Sequence, residues 1–95
     1  MSHLDIVAAI NARPGSGPQL EAVLQSLVAP SRLEAGCLRY DLHRVADNPE
    51  AFVFLETWTN REAHQAHMAT PHFQEARARQ QDLVASREVK FLQQI

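Results

Sequence analysis

Residues 37–59 read CLRYDLHRVADNPEAFVFLETWT. Up to Val45 the chain alternates, with Leu38, Tyr40 and Leu42 set against Arg39, Asp41 and His43. A period of two puts successive side chains on opposite faces of a strand. Asp47-Asn48-Pro49-Glu50 carries the short polar side chains and the fixed proline φ of a turn. Ala51 to Thr59 is then rich in aromatic and β-branched residues, which suit a pleated, packed surface. The segment reads as a β-hairpin.

Upstream, Leu4 to Ala12 contains Ile6, Val7 and Ile10 and stops at Arg13-Pro14-Gly15, so it reads as a strand. Ser16-Gly17-Pro18-Gln19 reads as a helix start, with Ser16 as cap and Gln19 completing a capping box. Leu20, Val23, Leu24, Leu27 and Val28 form one helical stripe, which Pro30 should kink or end before Gly36. Downstream, Asn60 caps a short helix through Met68. Thr70-Pro71 restarts helical structure to about Ala85, and Arg87 to Gln93 is a last strand.

The order is β-α-β-β-α-β. Right-handed crossovers turn it into a four-stranded antiparallel sheet with helices on one face, a ferredoxin-like α+β fold. The 95 residues fit a single domain spanning 1–95. The strands are too apolar for a sheet with one wet face: Val7, Ala9, Val53 and Leu55 oppose the Leu4/Ile6 and Phe52/Phe54 faces. A homodimer pairing sheet against sheet covers that second face.

Nine Lys and Arg against eleven Asp and Glu leave no basic excess for nucleic acid. Three glycines supply neither a dinucleotide nor a nucleoside-triphosphate loop. The single Cys37 excludes an intrachain disulfide and a cysteine zinc site, and it has no basic or helix-terminal context for a nucleophile. The start has neither the basic nor the long apolar region of a secretory leader, and no apolar run approaches a membrane span, so the expectation is a cytoplasmic protein off the membrane.

Polar chemistry concentrates in two places. Glu56 and Trp58 share a strand face with Phe54, where a carboxylate needs hydrogen bonds or an arginine partner near the strand end. His64, His67 and His72 flank the break at Thr70-Pro71. His64 sits among Arg61, Glu62 and Gln65 and reads as solvated. His67, beside Ala63 and Ala66, reads as inward-looking, either a satisfied core histidine or a site residue. Three histidines can bind a divalent ion, but no carboxylate stands at metal spacing on that face, and the expectation is no metal. Tyr40 shares the Leu38/Leu42 face, with Cys37 and Asp41 pointing elsewhere, and its hydroxyl needs a partner.

These residues carry a resemblance. Pro14-Gly15, the string EAGCLRY (34–40), the pair Glu56/Trp58 and the string AHMATPHF (66–73) resemble the antibiotic biosynthesis monooxygenase family, which includes small quinol monooxygenases. The resemblance implies a dimeric α+β barrel with a pocket between each sheet and its helices. It implies O₂ chemistry on a small aromatic substrate with no cofactor, because a phenolate or hydroquinone anion can itself reduce O₂. His67, His72 and Tyr40 are then the catalytic candidates, with Trp58, Glu56, Phe73 and Phe54 as substrate contacts. Related haem-degrading enzymes have an asparagine, a tryptophan and an iron-ligating histidine where this chain has Ala8, His67 and Arg77, which opposes haem chemistry. Two other readings stay open: a non-oxygenase isomerase or signal-molecule-processing enzyme of the same fold, and an accessory protein that only holds an aromatic ligand.

Overall fold

A computed structural model describes residues 3–95. In chain order the elements are β1 (Leu4–Ala12), α1 (Gly17–Gln25), α2 (Val28–Arg32), β2 (Cys37–Arg44), β3 (Ala51–Trp58), α3 (Arg61–Met68), α4 (Pro71–Gln80) and β4 (Val84–Leu92). The strands form one sheet, ordered β2-β3-β1-β4, with each neighbouring pair antiparallel. This is the ferredoxin-like α+β arrangement expected from the alternating patterns.

One sheet face carries the core. β1 buries Leu4, Ile6, Ala8, Ile10 and Ala12 there, and β3 buries Phe52, Phe54, Glu56 and Trp58. Leu20, Val23, Leu24 and Leu27 close over them, joined by Ala76 of α4. Each such leucine contributes about 1.5–3 kcal/mol by leaving water. On the other face Val7 stands beside Leu55 and Ala9 beside Val53, all half-buried.

Several local expectations are corrected. The first helical region breaks at Ser26-Leu27, before Pro30, which sits in the first turn of α2. A proline ring collides with the carbonyl four residues earlier, here Ser26, so the chain breaks there and Pro30 opens a new turn. Ser16 makes no side-chain cap; its carbonyl accepts from Leu20 N–H, and Glu50 Oε1 holds the preceding turn through Gly15 N–H at 2.7 Å. α4 ends at Gln80 rather than Ala85. Arg13 N–H donates to the Leu83 carbonyl and Val84 pairs with Ala12, so pairing with β1 draws residues 84–86 into the strand.

The register of β2 also differs from a plain alternation. Cys37 pairs with Trp58 and Arg39 with Thr57, leaving Leu38 in a bulge. Leu38 is therefore exposed while Cys37 packs on the core, the reverse of what parity predicts. Beyond the bulge Tyr40 lies opposite Glu56 and Leu42 opposite Phe54. The bulge thus aligns Tyr40 with the carboxylate of the neighbouring strand. No helix among the described residues is long and apolar enough to cross a membrane.

Candidate active site

The motif around Thr70 joins two helices through one hydroxyl. Thr70 Oγ1 accepts from Phe73 N–H at 3.2 Å, capping α4, and donates to the His67 carbonyl at 2.7 Å in the last turn of α3. Pro71 follows at the first helical position, where its missing N–H is no loss. Asn60 Oδ1 caps α3 by accepting from Ala63 N–H at 2.8 Å. The two caps set the angle between the helices and bring the rings of His67 and His72 to 6.2 Å between centroids.

Both imidazoles reach Glu34, in the turn between α2 and β2. His67 Nδ1 lies 2.8 Å and His72 Nε2 2.7 Å from the same oxygen, Oε2. Gly36, with φ +88°, shapes this turn. A Cβ there would lie 2.7 Å from Ala63 Cβ and 2.8 Å from Thr59 Oγ1. A carboxylate oxygen can only accept, so each nitrogen facing it carries a proton. His67 is thereby fixed as the Nδ1–H tautomer when neutral, with the lone pair on Nε2. Burial pulls the His67 pKa below the ordinary imidazole value, and the Glu34 bond acts against that pull. The ring is neutral at pH 7.

Glu34 corrects the expectation that no carboxylate stands near the histidines. Its Oε2, His67 Nδ1 and His72 Nε2 lie within 4.8 Å of one another, the donor types of a two-histidine, one-carboxylate metal site. The residue is remote in sequence, and its only signal was its place at the head of the EAGCLRY string.

A cavity of about 270 Å³ opens between the sheet and the helices. Tyr40, Phe54, Glu56, His67 and Phe73 line it, while Trp58 and His72, expected at the pocket, are not among the lining residues. His67 is packed against aromatic rings, 4.6 Å from Trp58, 5.0 Å from Phe73 and 5.3 Å from Tyr40 between centroids. Tyr40 in turn lies 4.8 Å from Phe54.

Glu56 is 8% exposed and has no arginine partner; its Oε1 accepts from Trp58 Nε1–H at 2.9 Å. Burial drives its pKa up to about 7, the Trp58 bond opposing and the charge of Glu34 adding. Tyr40 is pushed above the ordinary phenol value by burial and by Glu56, so its O–H stays protonated. His64, expected in solvent, is buried and lines the cavity between Trp58 and Phe91. The reason is tertiary: Phe91 of β4 covers the α3 face that looks polar in sequence. Burial, then the charges of His67 and Arg61, lowers the His64 pKa to about 4.

Comparison with known proteins bears on the family and the fold. The model of the antibiotic biosynthesis monooxygenase family matches residues 5–79. Rv0793 of Mycobacterium tuberculosis, provisionally named a monooxygenase, is 34% identical over 83 residues, covering 87% of this chain and 81% of its own. The uncharacterised protein sll1783 of Synechocystis is 34% identical over 76 residues, 80% of this chain, which spans only 52% of that relative. The crystal structure of PA3566 from Pseudomonas aeruginosa superimposes with a TM-score of 0.96 at 36% identity, covering 100% of this chain and 96% of that one. With the family model covering most of the sequence and a relative of similar length matched nearly end to end, the chain belongs to the antibiotic biosynthesis monooxygenase family.

Proposed function

We propose that the cavity oxidises a quinol or other hydroxylated aromatic with O₂, using no cofactor. The observation that carries this reading is His67: 1% exposed, tied by Nδ1 to Glu34, and lining an aromatic cavity beside Tyr40 and Glu56. A buried neutral imidazole whose other nitrogen is anchored to a carboxylate is a positioned general base.

His67 Nε2 takes the proton of a substrate hydroxyl, leaving an electron-rich phenolate. The phenolate passes one electron to O₂, and the resulting ring radical and superoxide combine at a ring carbon. The O–O bond of that peroxide then breaks. One oxygen stays on the ring and the other leaves as water with the displaced ring hydrogen, so hydroquinone plus O₂ gives hydroxyquinone plus water. All four electrons come from the substrate. Tyr40 donates its O–H to the charge that develops on oxygen, and Glu56, with its pKa near 7, exchanges a proton at the second hydroxyl. His72 donates to the same Glu34 oxygen as His67, and Trp58 holds Glu56. Phe54 and Phe73 pack against the aromatic ring.

Two copies pair through the outer sheet face, where Val7, Ala9, Val53 and Leu55 form an apolar block. The test of the reaction is oxygen uptake with a series of hydroquinones in the presence of a chelator. Uptake with hydroxyquinone formation supports the reading. Turnover that persists under argon moves it to an isomerase, and binding without any product moves it to a ligand carrier.

A further inference from the structure

The cavity has a second polar end that the reaction above does not use. Arg77 of α4 and Arg87 of β4 both line it. The Arg77 guanidinium stands 5.0 Å over the ring of Phe73, held at the rim by a cation–π contact. Arg87 is half-buried and donates from Nη2 to Gln80 Oε1 at 2.9 Å, and Gln80 is itself 3% exposed. Among the described residues no carboxylate lies within ion-pair distance of either arginine. Two guanidiniums thus line one largely apolar space, each raising the cost of the other, and Glu56, the one carboxylate in the lining, pairs with neither.

From this arrangement we infer that the substrate of the proposed oxidation is an aromatic acid, whose carboxylate sits between Arg77 and Arg87 while its hydroxyl meets His67. The inference rests on the preceding reading for the reaction, but not for the binding. Planar guanidiniums match a carboxylate with parallel N–H bonds, and Gln80 fixes Arg87 in advance of the ligand. Burial and the charge of Arg77 both lower the Arg87 pKa, as expected where a cation lacks its anion.

Length supports a single ring. Glu56 pairs with Ile6 and Arg87 with Ile10, four residues apart on β1. That is about 13 Å between backbone positions, and the arginine side chain spans part of it. The remainder suits one aromatic ring with its carboxylate. The volume of about 270 Å³ lies just below the common range for ligand pockets, roughly 300–1,000 Å³. A one-ring acid fits that volume better than a polycyclic substrate.

The test is anaerobic calorimetry with 2,5-dihydroxybenzoate and its methyl ester, so that binding is read without turnover. The acid should bind about tenfold or more tightly than the ester, the scale of a charge-assisted pair, and raised salt should weaken only the acid. The ratio should fall severalfold in Arg77→Gln, an exposed position that leaves the Gln80–Arg87 bond intact, and approach one in Arg77→Gln/Arg87→Gln. Arg87→Lys, which keeps the charge, should retain a preference for the acid. Equal binding of acid and ester, binding of neither, or a preference that survives the double substitution would overturn the inference. Oxygen uptake separates the two claims: a preserved acid preference without uptake refutes the oxygenase and leaves the anion site standing.

Discussion

Glu34 and His67 stand 33 positions apart in the chain, and Glu34 Oε2 lies 2.8 Å from His67 Nδ1. Because that oxygen also accepts from His72, the carboxylate takes two bonds on one atom and orients the cavity histidine from behind. Glu34→Gln keeps the shape and removes the charge. Oxygen uptake should fall about 10²-fold in kcat, the lower end of what a positioned base contributes. The Glu34 bond raises the His67 pKa, so its loss should move the acidic limb of the rate profile to lower pH. An unchanged profile would remove Glu34 from the reaction.

Glu56 makes stability fall with pH. Its folded pKa is raised from 4.5 to about 7, so between those values the folded chain binds the extra proton and unfolding becomes easier as pH rises. Glu56→Gln should be more stable than wild type at pH 8 by about 3 kcal/mol and equal to it at pH 4. His64 works in the opposite sense. Its folded pKa is lowered to about 4, so the stability it favours is present above the ordinary histidine value and lost as pH falls towards 4. The Gln variant should therefore gain stability from pH 4 to 6.5 and then level off, as read by urea unfolding across that range.

Trp58→Phe removes the indole donor to Glu56 from a site with no solvent access. The smaller ring and the lost bond should cost about 2–4 kcal/mol in denaturant unfolding. Since that bond lowers the Glu56 pKa, carboxyl NMR titration of the variant should place it above the wild-type value. A fall would mean that water replaces the indole.

Gly36→Ala forces a side chain into left-handed backbone and against Ala63 and Thr59. The cost should be at least about 2 kcal/mol. Because the same turn carries Glu34, oxygen uptake should drop even where the variant is fully folded. A folded variant with full activity would show that the turn does not position Glu34.

Leu55→Lys puts a charge in the middle of the outer apolar block, beside Val7. Light scattering should find the wild type as a dimer at micromolar concentration and this variant as a monomer. A monomeric wild type would refute the sheet-to-sheet pairing.

The hairpin, the element order and both helix caps near Thr70 were legible in the sequence because each rests on local chemistry: period-two alternation, turn residues, a Thr-Pro helix start. Tyr40, Glu56 and His67 could be singled out for the same reason, being polar groups on apolar faces. Glu34 could not, since nothing local tells a carboxylate in a polar turn that two histidines lie within bonding distance. His64 failed similarly, its polar neighbours masking a face that Phe91 covers. The end of α4 differs from the sequence reading because β1 recruits residues 84–86, a competition that helix propensity does not register.

The extra residue at Leu38 also alters one of the sheet's two free margins, which are β2 and β4. β2 is an outer strand, and a straight one would offer a regular row of N–H and C=O groups to any passing chain. The irregular pairing at Cys37/Arg39 breaks that row, and the ion pairs of Asp41 with Arg32 and Arg39 put charge along the rest of it. A regular template for strand addition is thereby interrupted at the strand that supplies Tyr40, so the residue that sets Tyr40 opposite Glu56 also roughens the sheet's edge.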